Sequence, residues 1–596
     1  MRTARLQLVV MIAVLAAVFS LTAGHAIAID EVEFFRAARW VGEGQVPFRD
    51  FWEHHTPLQW FVFAPFARVA WGEGVGALLA MRWLQLPFWI ATFAMLWSLM
   101  STRERWARWV AIALPLTSWT FLQKAIEFRV DTLGCFFVVA ALWLMQRRRM
   151  FWAGVALSLA VLANLRLAPV VAVAALIPLF RHFFVVTAAL SGHTPRSGAM
   201  RRATAEAAVA TKLLACGALL VAAIALAYLT FTSSLNAAWQ QVFVETAAAN
   251  RLLPFQASMF FSKLAALATD PGGIFVWILG LAGVVIALRR RTEHAEWVFA
   301  ALLVVAIASI AAMRVSYAYH FEIVVVLFVP FIAIAVQAMA EQQRAIAIVL
   351  VASLAVSVWN SVFRAQDAEL AAQHATIRFV HERTQPGDRV FDAVGYAWKR
   401  RPAWRYWFVP LMVHMLDRTL TVAELRDANP AAVIADYRMS ILLSRHADLA
   451  RYLTSHYVPV LRNAWLPGMS ARIDAHRGAE WIVPASGEYR VYASPLLARH
   501  PWFARPLLTG APAMRDVPIE ILLAQVPASA VVISVDGKPA QSPLRLQRGS
   551  IVRASAGEAM GVFLVRGNET ALFRDAGPFD VLDQLPAPHV PSWQSR

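Results

Sequence analysis

The amino-acid sequence predicts a polytopic α-helical membrane protein with about 11 transmembrane helices, followed by a soluble α/β region and a small β-sandwich. The chain of 596 residues is 59% hydrophobic and only 16% charged, which is too apolar for a soluble protein of this length. Apolar runs recur up to about residue 364 and then stop. Beyond that point, short alternating runs are separated by glycine, proline and Asp-Gly, which is typical of β-structure.

The apolar runs define the predicted membrane helices, each of which needs ~20 predominantly apolar residues. They lie near residues 7–29, 75–100, 109–122, 131–146, 151–164, 168–180, 211–231, 272–288, 296–312, 323–339 and 345–363. The first run follows a basic N-terminus, as in a signal peptide, but it stays apolar to Ile29. We therefore interpret it as an uncleaved first helix. The aromatic segment 58–70 is interrupted by Pro65 and is more typical of an interfacial or re-entrant helix.

The positive charges predict the orientation of these helices, because arginine and lysine are enriched in cytoplasmic loops. With a cytoplasmic N-terminus, every strongly basic loop falls on the cytoplasmic side: 101–108, 147–149, 181–202, 289–291 and Arg344. The opposite loops are 30–57, 123–130, 165–167, 232–271 and 313–322, and the first of them holds six acids against three arginines. The charges thus predict a multi-pass membrane protein whose C-terminal region lies outside the cytoplasm, and the arginine-, alanine- and tryptophan-rich composition is compatible with a bacterial inner membrane, where that side is the periplasm. The net charge of +17 is attributed to the loop bias, and no nucleic-acid partner is expected.

The change of character after the last apolar run predicts three domains. Residues 1–364 form the transmembrane domain. Residues 365–475 form a periplasmic α/β domain, in which "GDRVFDAVGY" and "NPAAVIADYR" are short buried strands. Residues 476–596 form the β-sandwich, and the pattern "PASGEYRV" makes it similar to carbohydrate-binding modules. Such a module either binds glycan or has a packing or interaction role, and both remain open.

Several kinds of chemistry lack their sequence signature. The chain has only two cysteines, both inside apolar runs, so we expect no disulfide framework. It has no glycine-rich phosphate loop with a lysine, no H-E-x-x-H and no G-x-S-x-G. His54 and His55 are adjacent, and on a helix or strand their rings would point in different directions, which argues against a two-histidine metal site from this pair alone.

Ionisable residues instead gather at the ends of predicted spans in four non-cytoplasmic loops. They are Asp30, Glu31, Glu33, Asp50, Glu53, His54 and His55 in the first loop; Lys124, Glu127, Arg129 and Asp131 in the second; Arg166 in the third; and Arg314, Tyr317, Tyr319, His320 and Glu322 in the last. Charges near hydrocarbon are costly, so contributions from separate helices predict a shared polar cavity. The alternative is that each residue caps its own helix and reaches the interface. In a cavity, carboxylates can act as a general base or hold a metal ion, and arginine or histidine can neutralise a phosphate.

The first loop also carries a resemblance to a known family. The first span ends in Asp30-Glu31, and a turn "G-x-x-P-[FY]-x-D" follows at residues 44–50, "GQVPFRD". A polar residue then precedes Pro57-Leu58 in "HHTPL". In this order, these features resemble the polyprenyl-phosphate-dependent glycosyltransferases of the GT-C fold, which include protein O-mannosyltransferases and aminoarabinose transferases. The resemblance covers roughly residues 7–363.

The resemblance implies a transferase that takes a sugar from a polyprenyl-phosphate donor to a glycan, lipid or protein acceptor at the periplasmic face. Asp30 would be the general base, with Glu31 supporting it. The remaining implied donor-phosphate and substrate contacts are His54 and His55, which stand where many relatives have a lysine, and Arg129, Asp131, Arg166, Tyr319 and His320. Some members of the family use a divalent metal and others do not, so the cofactor stays open. Membrane lipids are the other expected partners.

Two other functions remain open at this point. A transporter or flippase of a lipid-linked glycan would also have many spans and intramembrane charges, but such proteins more often show repeated halves with broken helices. No repeated halves are visible in the sequence, and the charges gather at one face. A membrane-anchored assembly protein, whose spans only support the β-sandwich, is the third possibility.

Overall fold

The structure is a computed structural model with two compact units. It describes residues 23–69, 74–178, 197–252, 257–270, 272–290, 294–314, 316–346, 368–406, 420–436, 446–461, 463–495 and 530–567, with scattered single positions between these ranges. The first unit comprises residues 1–70 and 78–367, and the second comprises 71–77 and 368–596.

The regular elements described in the first unit are all helices, joined by loops and turns. Its helices are α1 (Ile29–Gly42), α2 (Leu58–Arg68), α3 (Gly76–Trp83), α4 (Leu86–Leu99), α5 (Arg105–Ala113), α6 (Trp119–Ile126), α7 (Val130–Gln146), α8 (Met150–Ala163), α9 (Ala168–Ala175), α10 (Ser197–Phe231), α11 (Leu235–Ala238), α12 (Thr246–Leu252), α13 (Ala257–Thr269), α14 (Gly273–Arg290), α15 (His294–Ala311) and α16 (Glu322–Ala338). Short 3₁₀ turns lie at Leu114–Thr117, Leu165–Leu167, Ala318–Phe321 and Ala340–Gln342, and a π-helical turn lies at Trp239–Glu245.

Four helical stretches in the described part of the chain are long and apolar enough to cross a membrane: Gly76–Leu99, Ala205–Phe231, Gly273–Arg290 and Ala318–Ala338. Helices α6 and α7 form a fifth stretch that is bent by 99° at residues 127–129. The chain is therefore an integral membrane protein. The count of 11 spans stays a prediction, since the runs at 7–29 and 345–363 fall largely outside the described residues.

Close helix packing in the first unit depends on small residues. Helix α16 is at the centre, because 83% of its span is buried inside the protein. Between α8 and α10, a Cβ on Gly154 would lie 1.9 Å from the Leu214 carbonyl oxygen, and a Cβ on Gly217 would lie 2.0 Å from that of Phe151. Only glycine permits this approach of the two backbones, and such small-residue contacts are a common way to pack helices in membranes.

The second unit combines helices with two β-sheets. Its helices are α17 (Ala368–Arg383), α18 (Val422–Ala428) and α19 (Ala447–His456), and its strands are β1 (Arg389–Asp392), β2 (Arg401–Pro402), β3 (Ala432–Ile434), β4 (Tyr457–Leu461), β5 (Ala464–Ile473), β6 (Ala479–Ile482), β7 (Gly487–Ser494), β8 (Val531–Val535), β9 (Lys538–Ala540), β10 (Leu544–Leu546), β11 (Ile551–Ala556) and β12 (Met560–Arg566). The larger sheet has the order β10-β7-β12-β5-β3-β1-β2, with β4 also paired to β5, and the smaller has the order β6-β11-β8-β9.

Strand β5 joins the two regions that the sequence separates. It pairs with β3 through Val433 and Trp465 on one side and with β12 on the other. The predicted buried strands are β1 and β3, which pair in parallel. Inward side chains such as Trp481, Tyr489 and Leu564 fill the space between the two sheets. The sheet thus runs continuously across residue 475, and the division into domains at 364 and 475 stays a prediction.

Candidate functional site

The site begins at the first turn of α1, where the helix N-terminus favours negative charge. Glu31 is completely buried, and its two oxygens accept hydrogen bonds from Arg82 Nε at 2.8 Å and Nη2 at 2.6 Å. The same carboxylate accepts the backbone N–H groups of Ala28, at 3.0 Å, and Phe128, at 2.8 Å. Glu31 therefore ties α1 to α3 and to the bend between α6 and α7, which places it as a support for its neighbour Asp30.

Asp30 faces Arg129, which stands at the bend between α6 and α7. Asp30 Oδ2 lies 2.8 Å from Arg129 Nη1, and the Asp30 side chain is 23% exposed. Arg129 also contacts Glu127 at 3.4 Å and Asp131 at 3.3 Å. Its guanidinium lies 3.5 Å from the centre of the Tyr319 ring, which adds a cation–π contact. Arg129 thus organises three carboxylates from two segments of the chain.

The environment keeps Asp30 in its charged form. Burial of the carboxyl group acts to raise its pKa, but the charge and hydrogen bond of Arg129 outweigh burial, so the pKa of Asp30 is lowered from its ordinary value. A deprotonated carboxylate can accept a proton, which is what a general base requires.

The turn at residues 44–50 returns the chain from α1 to the site. Gly44 has φ +89° and Phe48 has φ +69°, both in the left-handed region that favours glycine. The turn is closed by Asp50 Oδ2, which accepts the backbone N–H of Val46 at 2.7 Å. The loop that follows is fixed at Glu53, whose backbone N–H donates to Gln241 Oε1 at 2.9 Å.

That loop forms a compact group with α1, which we call the Glu–His cluster: Glu33, Glu53, His54 and His55. Both histidines direct Nδ1 toward the same two carboxylates. The expectation that the two rings diverge applied to a helix or a strand, and it does not apply here because residues 52–57 are neither. Glu33 and Glu53 are 1% and 0% exposed. Burial acts to lower the pKa of His54, but the charges of Glu33 and Glu53 raise it to about 10.

The late loop supplies Tyr319 and His320 through the 3₁₀ turn before α16. His320 Nδ1 accepts the backbone N–H of Tyr317 at 3.2 Å, so a neutral ring carries its proton on Nε2. Within the described residues, His320 Nε2 has no hydrogen-bond partner and is buried. Arg166 also approaches this loop, with its guanidinium 5.6 Å from the Tyr319 ring centre.

These groups line a small pocket that is partly open to its surroundings. Its polar lining is formed by Asp131, Asn164, Arg166, Ser309, Tyr319, His320 and Glu322. Asp131 is held by Asn164 Nδ2, which donates to Oδ1 at 2.8 Å. In the part of the chain that the structure describes, Arg166 has no carboxylate within 4 Å, in contrast to Arg129. Arg166 is therefore the guanidinium in this pocket that is available to an anion.

The predicted site residues fall into two neighbouring groups. The first holds Asp30, Arg129, Asp131, Arg166, Tyr319 and His320, and the second holds His54 and His55. The two groups are close enough for the charge of His55 to act on Asp30. Sequence reasoning did not assign roles to Glu33, Glu53 or Glu322; their burial next to histidines or arginines becomes visible only when the chain is folded.

Comparison with known proteins identifies the fold of the chain. No protein-family model matches the chain, and no curated protein matches it in sequence. Among solved structures, ArnT from Cupriavidus metallidurans in the apo state has a TM-score of 0.50 at 13% identity, covering 78% of this chain and 98% of that chain. A second structure of ArnT from the same organism, bound to undecaprenyl phosphate, has a TM-score of 0.47 at 13% identity and covers 74% and 94%. At this identity the likeness to the apo structure shows the fold alone, and it confirms that the chain has the GT-C fold with a C-terminal sheet domain.

Proposed function

We propose that this chain is an integral membrane glycosyltransferase that moves a sugar from a polyprenyl-phosphate donor to an acceptor hydroxyl on the periplasmic face. The observation that carries the proposal is the pocket itself. It holds Arg166, which has no carboxylate within 4 Å among the described residues, and the buried Nε2–H of His320. Its wall residue Tyr319 touches Arg129, the partner of the deprotonated Asp30. A base and a separate cation in one place suit the displacement of a phosphate from a sugar.

The chemistry assigns each group a task. Asp30 accepts the proton of the acceptor hydroxyl as the acceptor oxygen forms a bond to the anomeric carbon of the sugar. The bond between that carbon and the phosphate oxygen breaks, and the phosphate leaves with the electron pair. Arg166, with the Nε2–H of His320, stabilises the negative charge on the leaving phosphate. No redox partner or further reactant is needed.

Arg129, Asp131 and Glu31 support this reaction in the proposal. Arg129 fixes Asp30, and Asp131 fixes Arg129 at 3.3 Å. The Tyr319 ring lies close to the guanidinium groups of both Arg129 and Arg166. His54 and His55 face the carboxylates of Glu33 and Glu53 and are turned toward them. We therefore place the main donor-phosphate contact on Arg166, with the two histidines at the margin of the site.

The topology belongs to the same proposal. Eleven spans with a cytoplasmic N-terminus would bring the loops that carry Asp30, Arg129, Arg166 and Tyr319 to the periplasmic face of a bacterial inner membrane. The α/β region 365–475 and the β-sandwich 476–596 would follow in the periplasm. The β-sandwich is then positioned to bind a glycan, either the acceptor or the product.

The direct test is transfer by the purified full-length protein in liposomes that contain a radiolabelled polyprenyl-phosphate sugar and a cell-envelope extract as acceptor. We expect label to move to the acceptor, and Asp30→Asn to lower the rate by about 10²–10⁴-fold, as for loss of a general base. The control is Glu43→Gln, which removes an exposed carboxylate of the same loop and should leave the rate of transfer unchanged.

The same liposomes separate the alternative functions. A transporter or flippase would move label across the bilayer without transfer, and an anchored assembly protein would do neither. Near-normal transfer by Asp30→Asn would exclude Asp30 as the base, and labelled lipid that crosses without turnover would exclude the transferase.

A further inference from the structure

The Glu–His cluster has the spacing of a metal site. His54 Nδ1 lies 3.2 Å from Glu33 Oε1 and 3.3 Å from Glu53 Oε1, and His55 Nδ1 lies 3.5 Å and 3.1 Å from the same two atoms. One ligand atom from each residue lies within 4.8 Å of every other. A tetrahedral zinc ion holds nitrogen and oxygen ligands at about 2.0–2.2 Å, so neighbouring ligand atoms lie about 3.3–3.6 Å apart. The four distances between histidine nitrogen and carboxylate oxygen are close to this ligand–ligand separation.

A second observation is a buried carboxylate oxygen that a cation would satisfy. Glu33 Oε1 is buried and points toward both histidines, yet within the described residues it accepts no hydrogen bond. Glu53 directs its oxygen Oε1 toward the histidines; Oε1 also accepts the backbone N–H of His54 at 2.8 Å, which fixes its position. A buried carboxylate oxygen without a donor is costly, and a metal ion satisfies it directly.

The donor set and its charge select the kind of ion. Two imidazole nitrogens and two carboxylate oxygens suit zinc and other late divalent transition metals better than magnesium or calcium, which prefer all-oxygen shells. Two carboxylates cancel the double positive charge, so the occupied site is neutral, as burial favours.

The surroundings hold the ligands in place. The His54 ring stacks on Trp52 with centroids 5.3 Å apart, and the His55 ring meets the edge of Phe34 at 4.8 Å. Trp52 is anchored in turn, because its Nε1–H donates to Glu245 Oε2 at 2.9 Å. Such outer contacts orient metal ligands and raise affinity.

We propose that Glu33, Glu53, His54 and His55 bind one zinc-type divalent metal ion, which clamps the loop 51–57 onto α1. With four protein ligands the shell is closed, so the ion is structural and stabilises the loop beside Asp30. The proposal does not depend on the transfer reaction, since metal can bind whether or not sugar is transferred.

The test measures metal in the purified full-length protein by mass spectrometry of the elements, after dialysis against metal-free buffer with added zinc. We expect about one zinc per chain, and a melting temperature that falls on chelation and recovers with zinc. Cobalt in place of zinc should give the visible bands of tetrahedral cobalt. In Glu53→Gln and, separately, in His55→Asn, zinc affinity should fall by at least about tenfold.

The control is Glu43→Gln, which removes an exposed carboxylate just after the C-terminal end of α1 and should leave zinc content unchanged. If a ligand variant fails to fold, the chelator titration of the wild-type protein still decides. A wild-type protein with no bound zinc, and a melting temperature that neither chelator nor zinc changes, would show that the cluster is an ion-pair group that shares protons. Zinc content that survives in both ligand variants would place the metal elsewhere.

Discussion

At the scale of single residues, the sequence identified most groups of the candidate site. Asp30, Arg129, Arg166 and Tyr319 were found because each is a polar or aromatic residue at the end of an apolar run. This position alone predicts a shared cavity when the run ends meet at one membrane face. The difference between the two arginines was not predictable from the sequence. In the folded chain three carboxylates contact Arg129, and none of the described ones contacts Arg166.

Glu33 and Glu53 show why part of the site escaped sequence analysis. Adjacent residues diverge in a helix or strand, and the convergence of His54 and His55 needs the irregular backbone of the loop between α1 and α2. That backbone follows from the turn at 44–50 and from the hydrogen bond between the Glu53 N–H and Gln241, a residue 188 positions away. No local pattern encodes such a partner.

The Arg129 charge should control the pH dependence of transfer. In the wild-type protein Arg129 lowers the Asp30 pKa against the effect of burial, so the base stays ionised and the rate should be flat down to about pH 4, the ordinary range of an aspartate. In Arg129→Gln the counter-charge is removed, so burial becomes the largest influence on Asp30 and raises its pKa. The acid limb of the rate profile should therefore move to higher pH, toward neutrality.

The measurement is kcat/KM for the labelled donor between pH 4 and 8 in both proteins. Arg105→Gln, which removes an exposed arginine, is the control and should keep the wild-type profile. An acid limb in the wild-type protein near neutral pH, or an identical limb in Arg129→Gln, would contradict this account of Asp30.

At the scale of elements, the buried pair of Glu31 and Arg82 joins α1 to α3. Arg82 donates to both oxygens of Glu31 and also to the carbonyls of Ala23, His25 and Ala26. All five guanidinium N–H groups can be satisfied in this way. Glu31→Gln leaves the buried guanidinium without its counter-charge, which typically costs about 3–5 kcal/mol.

Thermal unfolding in detergent, with helix content as the signal, measures this loss. The matched control is Glu43→Gln just after the C-terminal end of the same helix, whose exposed pair with Arg39 lies at the surface and should contribute at most about 0.5 kcal/mol. Equal stability of the two variants would mean that the Glu31–Arg82 pair does not hold the helices together.

The contact between α8 and α10 makes a second prediction about elements. Gly217→Val places a side chain where a Cβ alone would come within 2.0 Å of the Phe151 carbonyl oxygen. The helices must separate, and overpacking of this kind costs about 1–3 kcal/mol. We expect a lower melting temperature for Gly217→Val. Leu219→Val changes a side chain of α10 that is 66% exposed and should not lower it; equal melting temperatures would contradict the close contact.

At the scale of the whole molecule, the apolar runs and the change at residue 364 were sufficient to predict a helical membrane fold with a C-terminal sheet region, and both are confirmed. Helix breaks were less predictable. The 99° bend between α6 and α7 arises where Glu127 and Arg129 interrupt an apolar sequence, and its angle depends on partners such as Glu31, which binds the Phe128 N–H. Strand β5 likewise pairs with β3 and with β12, which lie in regions of different sequence pattern. Such pairing depends on the folded chain and not on the local sequence.

The predicted orientation of the chain can be tested as a whole. An odd number of spans that starts in the cytoplasm places the C-terminal region in the periplasm. Alkaline phosphatase fused after residue 596 should then be active, because it folds only where its disulfides can form, and a green fluorescent protein that requires the cytoplasm should be dark at the same position. Fusions after residue 147, in a basic loop, serve as the control and should give the reverse pattern. Fluorescence after residue 596 with inactive phosphatase would overturn the orientation and, with it, the periplasmic placement of Asp30 and Arg166.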